Sequence, residues 1–443
     1  MALSHPDRLK GRLPLPVAQR AAAGPAIPSL TVPLLVGSVV GLPLLLPRGI
    51  GNSVPVDGIM LLFAAIAIAF FWARRARVEV PLGASYLLIV LGGTLGILGS
   101  IAPAEAGAVV LQDLYLYIWF LAVVNLILLE GSERLVRLVV VAWGVTALAM
   151  AGVMVAIAWI YPNMLYLFGW PMATEYGRVM ATFRDPNMAG NYLVISLFIL
   201  WASPLPTRRL WKLLATIPIL LAIYYTQSIT ALVALVAGVV VSVTVGVMRN
   251  GRIAIAAIFA VAALAVVLAA FIPRTYLEGP QETTRSIASS DMFSESLGRT
   301  DTSLSLRVVR WRHAFIAFGD DIVLGIGAST SDLALHERGF PTFGEIHNDF
   351  IAGFIERGLI GGIGVIALFV MVTRRALQVG VERSLRRSGW APAALVGAIV
   401  TVIVSAISLE TLHFRHVWML FAVITALYLR SDRQPLQQPA TGL

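Results

Sequence analysis

The amino-acid sequence predicts an all-α polytopic membrane protein of about twelve transmembrane helices, and three observations carry that prediction. Of the 443 residues, 58% are hydrophobic and only 13% charged, with a mean hydropathy of +0.83, a balance suited to serial lipid-spanning helices rather than to one soluble core. Apolar runs of about 17 to 25 residues recur from Ser29 to Leu429. Lys and Arg gather in short clusters between alternate runs, the pattern that fixes the orientation of each span. The same scatter speaks against nucleic acid as a partner despite the net charge of +9, because a nucleic-acid groove needs a basic stripe on a folded surface. Cysteine is absent, which excludes disulfides, thiolate metal sites and cysteine nucleophiles.

Spans are expected at residues 29–47, 57–73, 81–102, 107–129, 135–161, 187–202, 210–226, 229–248, 253–272, 347–373, 391–408 and 413–429. The run from Leu30 to Leu46 follows a long basic segment with no clean small-residue cleavage site, so it reads as an uncleaved first span rather than a signal peptide. With the N-terminal tail, residues 1–28, inside, the clusters at Arg74 to Arg77, Arg134 and Arg137, Arg208 to Lys212, Arg249 and Arg252, Arg374 to Arg387, and Arg430 and Arg433 all fall on the cytoplasmic side. The chain then divides into spans one to nine over 29–272, an external loop over 273–346, spans ten to twelve over 347–429 and a cytoplasmic tail over 430–443. External chemistry is expected in the large loop and in the shorter one from Tyr161 to Pro186.

Within the large loop, residues 303–318 have helical periodicity. Leu304, Val308, Trp311, Phe315 and Phe318 share one face, Arg307 and Arg312 flank it, and Arg310 lies further round, an arrangement suited to a helix on a membrane surface reaching for phosphates or simply covering the bundle. The loop passes through GIGAST, Gly325 to Thr330, and ends in EIHNDFIAGFIERGLIGG. His347 there is a candidate general base or an ordinary interfacial residue, with Asn348 and Asp349 offering a helix cap or a bond that holds the histidine tautomer. Glu356 and Arg357 further along are intramembrane charges of the kind that pair or line a cavity. In the shorter loop, Arg178 and Arg184 approach a DPN turn in which Asp185 can cap a helix starting at Pro186.

The last external hairpin groups Glu410, His413, Arg415 and His416, short of the ligand set zinc prefers, so no metal site and no cofactor is expected. Phosphate-binding loops, dinucleotide fingerprints and serine-hydrolase elbows are missing from the sequence.

Three stretches, FRDPNMAGNYL, SLRVVRWRHAF followed by GIGAS, and HNDFIAGFIERGLIGG, together resemble the O-antigen ligase and polymerase superfamily of bacterial membrane glycosyltransferases. The resemblance also covers the layout, with the main loop between spans nine and ten, and it implies a GT-C-like fold at the inner membrane with its site facing the periplasm. It further implies a donor glycan on undecaprenyl pyrophosphate, an acceptor such as lipid A core or another glycan, and surrounding membrane lipid. By the resemblance His347 assists the acceptor hydroxyl and Arg307 holds the pyrophosphate; Arg178, Arg184, Arg310, Arg312, Trp311, Asn348 and Glu356 are expected from the residue pattern as further substrate contacts. Where the superfamily commonly carries a Ser-Arg pair at the outer start of the eighth span, Ile229 follows Ser228, and Arg178 or Arg184 is expected to compensate.

That chemistry is coherent from the residues up. A sugar carbon bonded to pyrophosphate has a good leaving group, so cations for the developing charge and a base for the acceptor suffice. A ligase, a polymerase and a protein oligosaccharyltransferase would share these parts. A transporter or flippase, the reading from another class, would show charged or broken helices in paired halves, whereas the polar residues gather at one external face.

Overall fold

The structure, a computed structural model, describes residues 27–47, 53–160, 166–167, 170–174, 177–183, 185–248, 307–340 and 345–433. The expected ninth span at 253–272, the first part of the large loop, Arg184, residues 1–26 and residues 434–443 lie outside the described residues.

Helices occupy most of the described chain. In order they are α1 (Thr31–Val40), α2 (Pro55–Ala73), α3 (Gly83–Leu98), α4 (Pro103–Glu130) and α5 (Arg134–Ile160). A short antiparallel ribbon follows, β1 (Tyr166–Leu167) with β2 (Trp170–Pro171), then α6 (Pro186–Ala202), α7 (Arg209–Thr226) and α8 (Ile229–Met248). After the large loop come α9 (residues 307–318), α10 (Ser331–Glu337), α11 (Asp349–Val381), α12 (Arg383–Arg387), α13 (Ala393–Ala406) and α14 (Arg415–Arg433). Proline opens α2, α4 and α6, where a missing N–H costs nothing. The tight pair around Gln227 is two helices, separated by Gln227 in the left-handed conformation (φ 49°).

Five of these helices are long and apolar enough to cross a membrane: α2, α4, Arg134–Trp159 within α5, α8 and α11. Their outer faces leave Leu62, Val145, Val236 and Val370 exposed, as lipid-facing positions require. By contrast, α6 and the stretch of α14 from Val417 to Leu427 are buried on all sides, forming the axis around which the others pack.

Two expectations need correction. The first helix spans ten residues rather than the whole run 29–47; Gly41 caps it and lies so close to α2 that a Cβ there would meet Val56 at 2.2 Å. The tenth span is broken. Gly358 adopts φ 67° inside α11, and the Val323 carbonyl wedges in, accepting from Leu359 N–H at 3.3 Å and lying 2.5 Å from where a Cβ on Gly358 would sit.

The loops segregate to two ends. At one, Arg137 reaches Ser388 O (2.9 Å), Trp390 reaches Glu133, Ala391 N–H reaches Ala202 O (2.9 Å) and Arg430 reaches Ser132 O, which joins the loops around Arg137, Ser388, Ala202 and Arg430. At the other end gather residues 177–183, 185–186, 226–228, α9, 325–330, 345–348 and 407–414.

Candidate active site

Two short segments build the floor of the second end. The GIGAST loop is laid against α3 and the break in α11 by its backbone: Ile326 N–H donates to Ile355 O (3.1 Å) and Gly327 N–H to Glu356 O (3.0 Å). Gly325 (φ 85°) and Gly327 (φ 100°) are needed there, since a Cβ on either would lie 2.5 Å from neighbouring atoms. The Glu356 side chain is buried and accepts from Ser329 N–H at 2.8 Å, which makes it the anchor of this loop; the geometry gives no support to the substrate contact expected for it. Arg357 pairs with Asp113 of α4 at 2.6 Å, in the interior.

The other segment, α9, packs Trp311, Ala314 and Phe318 against Ile326, Leu335, Ile346 and Ile355. This buried side is turned relative to the stripe read from the sequence. Val309, Phe315 and Ile316 are exposed, Arg307 and Arg310 lie on the protein side, and Arg312, about 140° round from Arg307, is exposed on the far face. Lipid accepts apolar side chains as readily as protein does, so hydrophobicity alone does not phase an interfacial helix. Arg310, which lies further round from the stripe in the sequence, thus comes to the protein side.

The Trp311 indole N–H donates to Ile346 O at 3.0 Å and Arg310 reaches Glu345 O at 3.5 Å, so α9 holds the chain that leads into His347. His347 is half-buried, has a left-handed backbone (φ 54°), and donates its amide N–H to Glu410 Oε1 at 3.2 Å. Asn348 caps α11, its Oδ1 accepting from Phe350 N–H (2.9 Å) and Ile351 N–H (3.0 Å), while its amide donates to Ile407 O (2.9 Å). Asp349 accepts from Thr411 and Leu412. Neither holds the imidazole. The carboxylate that faces it is Glu345, with Oε2 3.9 Å from Nδ1.

Burial pushes the His347 imidazole below the ordinary histidine value. Glu345 and Asp185 oppose this, and Arg307 and Arg310 reinforce it. The ring is therefore neutral at pH 7. Burial also lowers Arg307, which Asp185 opposes while Arg310 and Arg178 add to it. The charges acting on these two residues identify what the fold brings together: Arg178, Asp185, Arg307, Arg310, Glu345 and His347. Asp185 caps α6 as expected, accepting from Asn187 N–H (2.6 Å) and Met188 N–H (3.2 Å). Arg178 donates to Thr226 O (3.0 Å) and to Asn187 Oδ1 (3.0 Å), which also accepts from Ser228 Oγ (2.8 Å). Its guanidinium thus stands at the start of α8, which opens at Ile229.

The polar group of the last hairpin splits: Glu410 faces His413 at 3.7 Å, while the other two members turn to separate partners. Arg415 is clamped to Asp57 of α2 (2.5 and 2.6 Å), and His416 bonds Asn191 of α6 (2.7 Å). Among the described residues no group of three or more His, Asp or Glu is arranged to hold a metal ion. Sequence reasoning passed over Glu345 and Asp113. The second carried a signal, since a carboxylate inside an expected span implies a buried partner.

Residues 213–366, from α7 to the middle of α11, match the family model described as O-Antigen ligase. No curated protein matches the chain. The match covers Ser228, Arg307, His347 and Glu356, and bears out the resemblance to the O-antigen ligase and polymerase superfamily.

Proposed function

We propose that this chain, carrying the O-antigen ligase region within a multi-pass bundle, transfers a glycan from undecaprenyl pyrophosphate to an acceptor hydroxyl, with lipid A core as the acceptor and the reaction at the periplasmic face of the inner membrane. The observation that supports it most is the approach of Arg307 and Arg310 to a histidine whose pKa burial lowers, with Arg178 in turn acting on Arg307. His347 takes the acceptor O–H proton as the oxygen attacks the anomeric carbon. The new C–O bond forms as the bond to pyrophosphate breaks, and the electron pair leaves with undecaprenyl pyrophosphate. Arg307 and Arg310 stabilise the charge that develops there, with Arg178 facing them across the site. Direct attack inverts the anomeric centre. Arg312, on the outer face of α9, is placed to meet lipid headgroups instead of donor.

The test is transfer by purified protein in liposomes containing lipid-linked glycan and lipid A core, with chelator and without ATP or nucleotide sugar. Polymer appearing on lipid A core is expected. Activity that vanishes with chelator and returns with a divalent ion would overturn the metal-independent reading. In cells, deletion should leave polymer on the carrier lipid and none on lipid A; single repeat units on lipid A would mean a polymerase.

A further inference from the structure

Beneath His347 lies a set of buried ionisable side chains that the proposed transfer does not use. Glu410 accepts the His347 amide N–H through Oε1, and its Oε2 faces His413 Nε2 at 3.7 Å. The other ring nitrogen of His413 faces Asp113 Oδ1 at 3.8 Å, and Asp113 Oδ2 meets Arg357 at 2.6 Å. The line runs from the candidate base through the 407–414 hairpin into α4 and returns to α11 next to its break at Gly358. Asp113, Arg357 and Glu410 are each at most 5% exposed.

A carboxylate placed that deep is costly unless its partners hold it. If the line served only to join α4 to α11, the Arg357–Asp113 pair would be enough. Glu410 makes no direct bond to that pair and acts on Arg357 only at a distance. What it does contact is the backbone of a residue in the left-handed region, which L side chains rarely adopt and which persists only when the surroundings over-determine it. That conformation turns the imidazole away from Asn348 and Asp349 and toward Arg307, Arg310 and Glu345.

We propose that Glu410 is a positioning residue for the transfer: its carboxylate, steadied by His413 and through it by Asp113 and Arg357, holds His347 in the backbone conformation that presents the ring to the acceptor. This rests on reading His347 as the base. It gives the last hairpin and α4 a part in turnover although neither touches the donor.

The test compares Glu410→Ala and Glu410→Gln in the wild-type and His347→Ala backgrounds, following turnover and donor KM in liposomes. Glutamine keeps an oxygen for the His347 amide. Glu410→Ala should lower kcat about tenfold or more with donor KM nearly unchanged, and Glu410→Gln should recover most of it. In His347→Ala, adding Glu410→Ala should cost nothing further, because the residue acts through the histidine. An equal loss in both backgrounds, or a loss confined to KM, would overturn the proposal. Should Glu410→Ala not fold, His413→Asn gives the same comparison, with a smaller kcat loss expected in wild type and none in His347→Ala. Near wild-type turnover by His347→Ala alone would instead bring down the base assignment, an outcome distinguishable from any failure of Glu410.

Discussion

Both ends of the bundle are rich in arginine, yet they use it in opposite ways. At the basic end, cations saturate helix-terminal oxygens: Arg137 bonds Glu133 (2.6 and 2.9 Å) and Ser388 O, Arg430 bonds Ser132 O, and the Lys212 ammonium caps Ser203 O (2.5 Å) and Trp201 O (3.3 Å). At the site end, the charges acting on Arg307 are two further arginines and a single aspartate. The first arrangement completes helix ends. The second sets Arg178, Arg307 and Arg310 against Asp185 and Glu345, an excess of positive charge that a fold gains nothing from until an anion arrives. Residue type is the same at both ends; the balance of charge within reach differs.

The sharpest way to break that comparison is to remove one member of the site. His347→Ala should lower transfer on the order of 100-fold with donor affinity retained, and Arg307→Ala should lower turnover by a similar factor while also weakening donor binding. Arg307→Lys should recover only part, since an ammonium lacks the planar fork that spans two phosphate oxygens. Donor titrations in liposomes separate the two. The orientation of α9 supplies the next contrast: Arg310→Ala should cost about tenfold or more, Arg312→Ala almost nothing, and equal effects would mean that charge near the membrane matters more than its placement.

Much of this was legible in the sequence. Lipid demands long apolar runs, so the helices fall close to the expected spans, and Asp185, Pro186 and Asn348 announce their helix starts through local capping rules that need no tertiary knowledge. His347 and Arg307 were likewise singled out from the pattern and the resemblance. What escaped depends on partners far away in the chain. Gly358 reads as one more glycine in an apolar helix until the Val323 carbonyl is seen entering it. The side of α9 that faces the protein is decided by the Trp311 bond to Ile346, because hydrophobicity is satisfied on both sides. The partner of His347 was sought in Asn348 and Asp349, one step along the chain, whereas the left-handed backbone swings the ring toward Glu345 instead.

A smaller effect tests the electrostatics of the site directly. Because burial and the two arginines hold the His347 ring below the ordinary histidine value, the acid limb of the kcat/KM profile should lie below pH 6.5. Arg310→Ala removes a neighbouring cation and should move that limb upward. Glu345→Gln removes the carboxylate that favours the protonated ring and should move it downward. Shifts of the same sign in both variants would show that the limb reports some group other than His347.

The smallest effect belongs to the basic end. Glu133 accepts from Arg137, from Ser388 Oγ (2.9 Å) and from Trp390 Nε1 (3.2 Å), tying the start of α5 to the loop before α13. Glu133→Ala leaves Arg137 to water, its side chain being 36% exposed, but strands the indole N–H of the buried Trp390, so the loss should be about 1 to 2 kcal/mol. A slightly lower thermal midpoint in detergent with unchanged kcat and donor KM is the expected outcome. A fall in kcat at undiminished stability would instead mean that the two ends are coupled through the buried axis of α6 and α14, and that the division of labour between helix-end and anion-facing arginines does not hold.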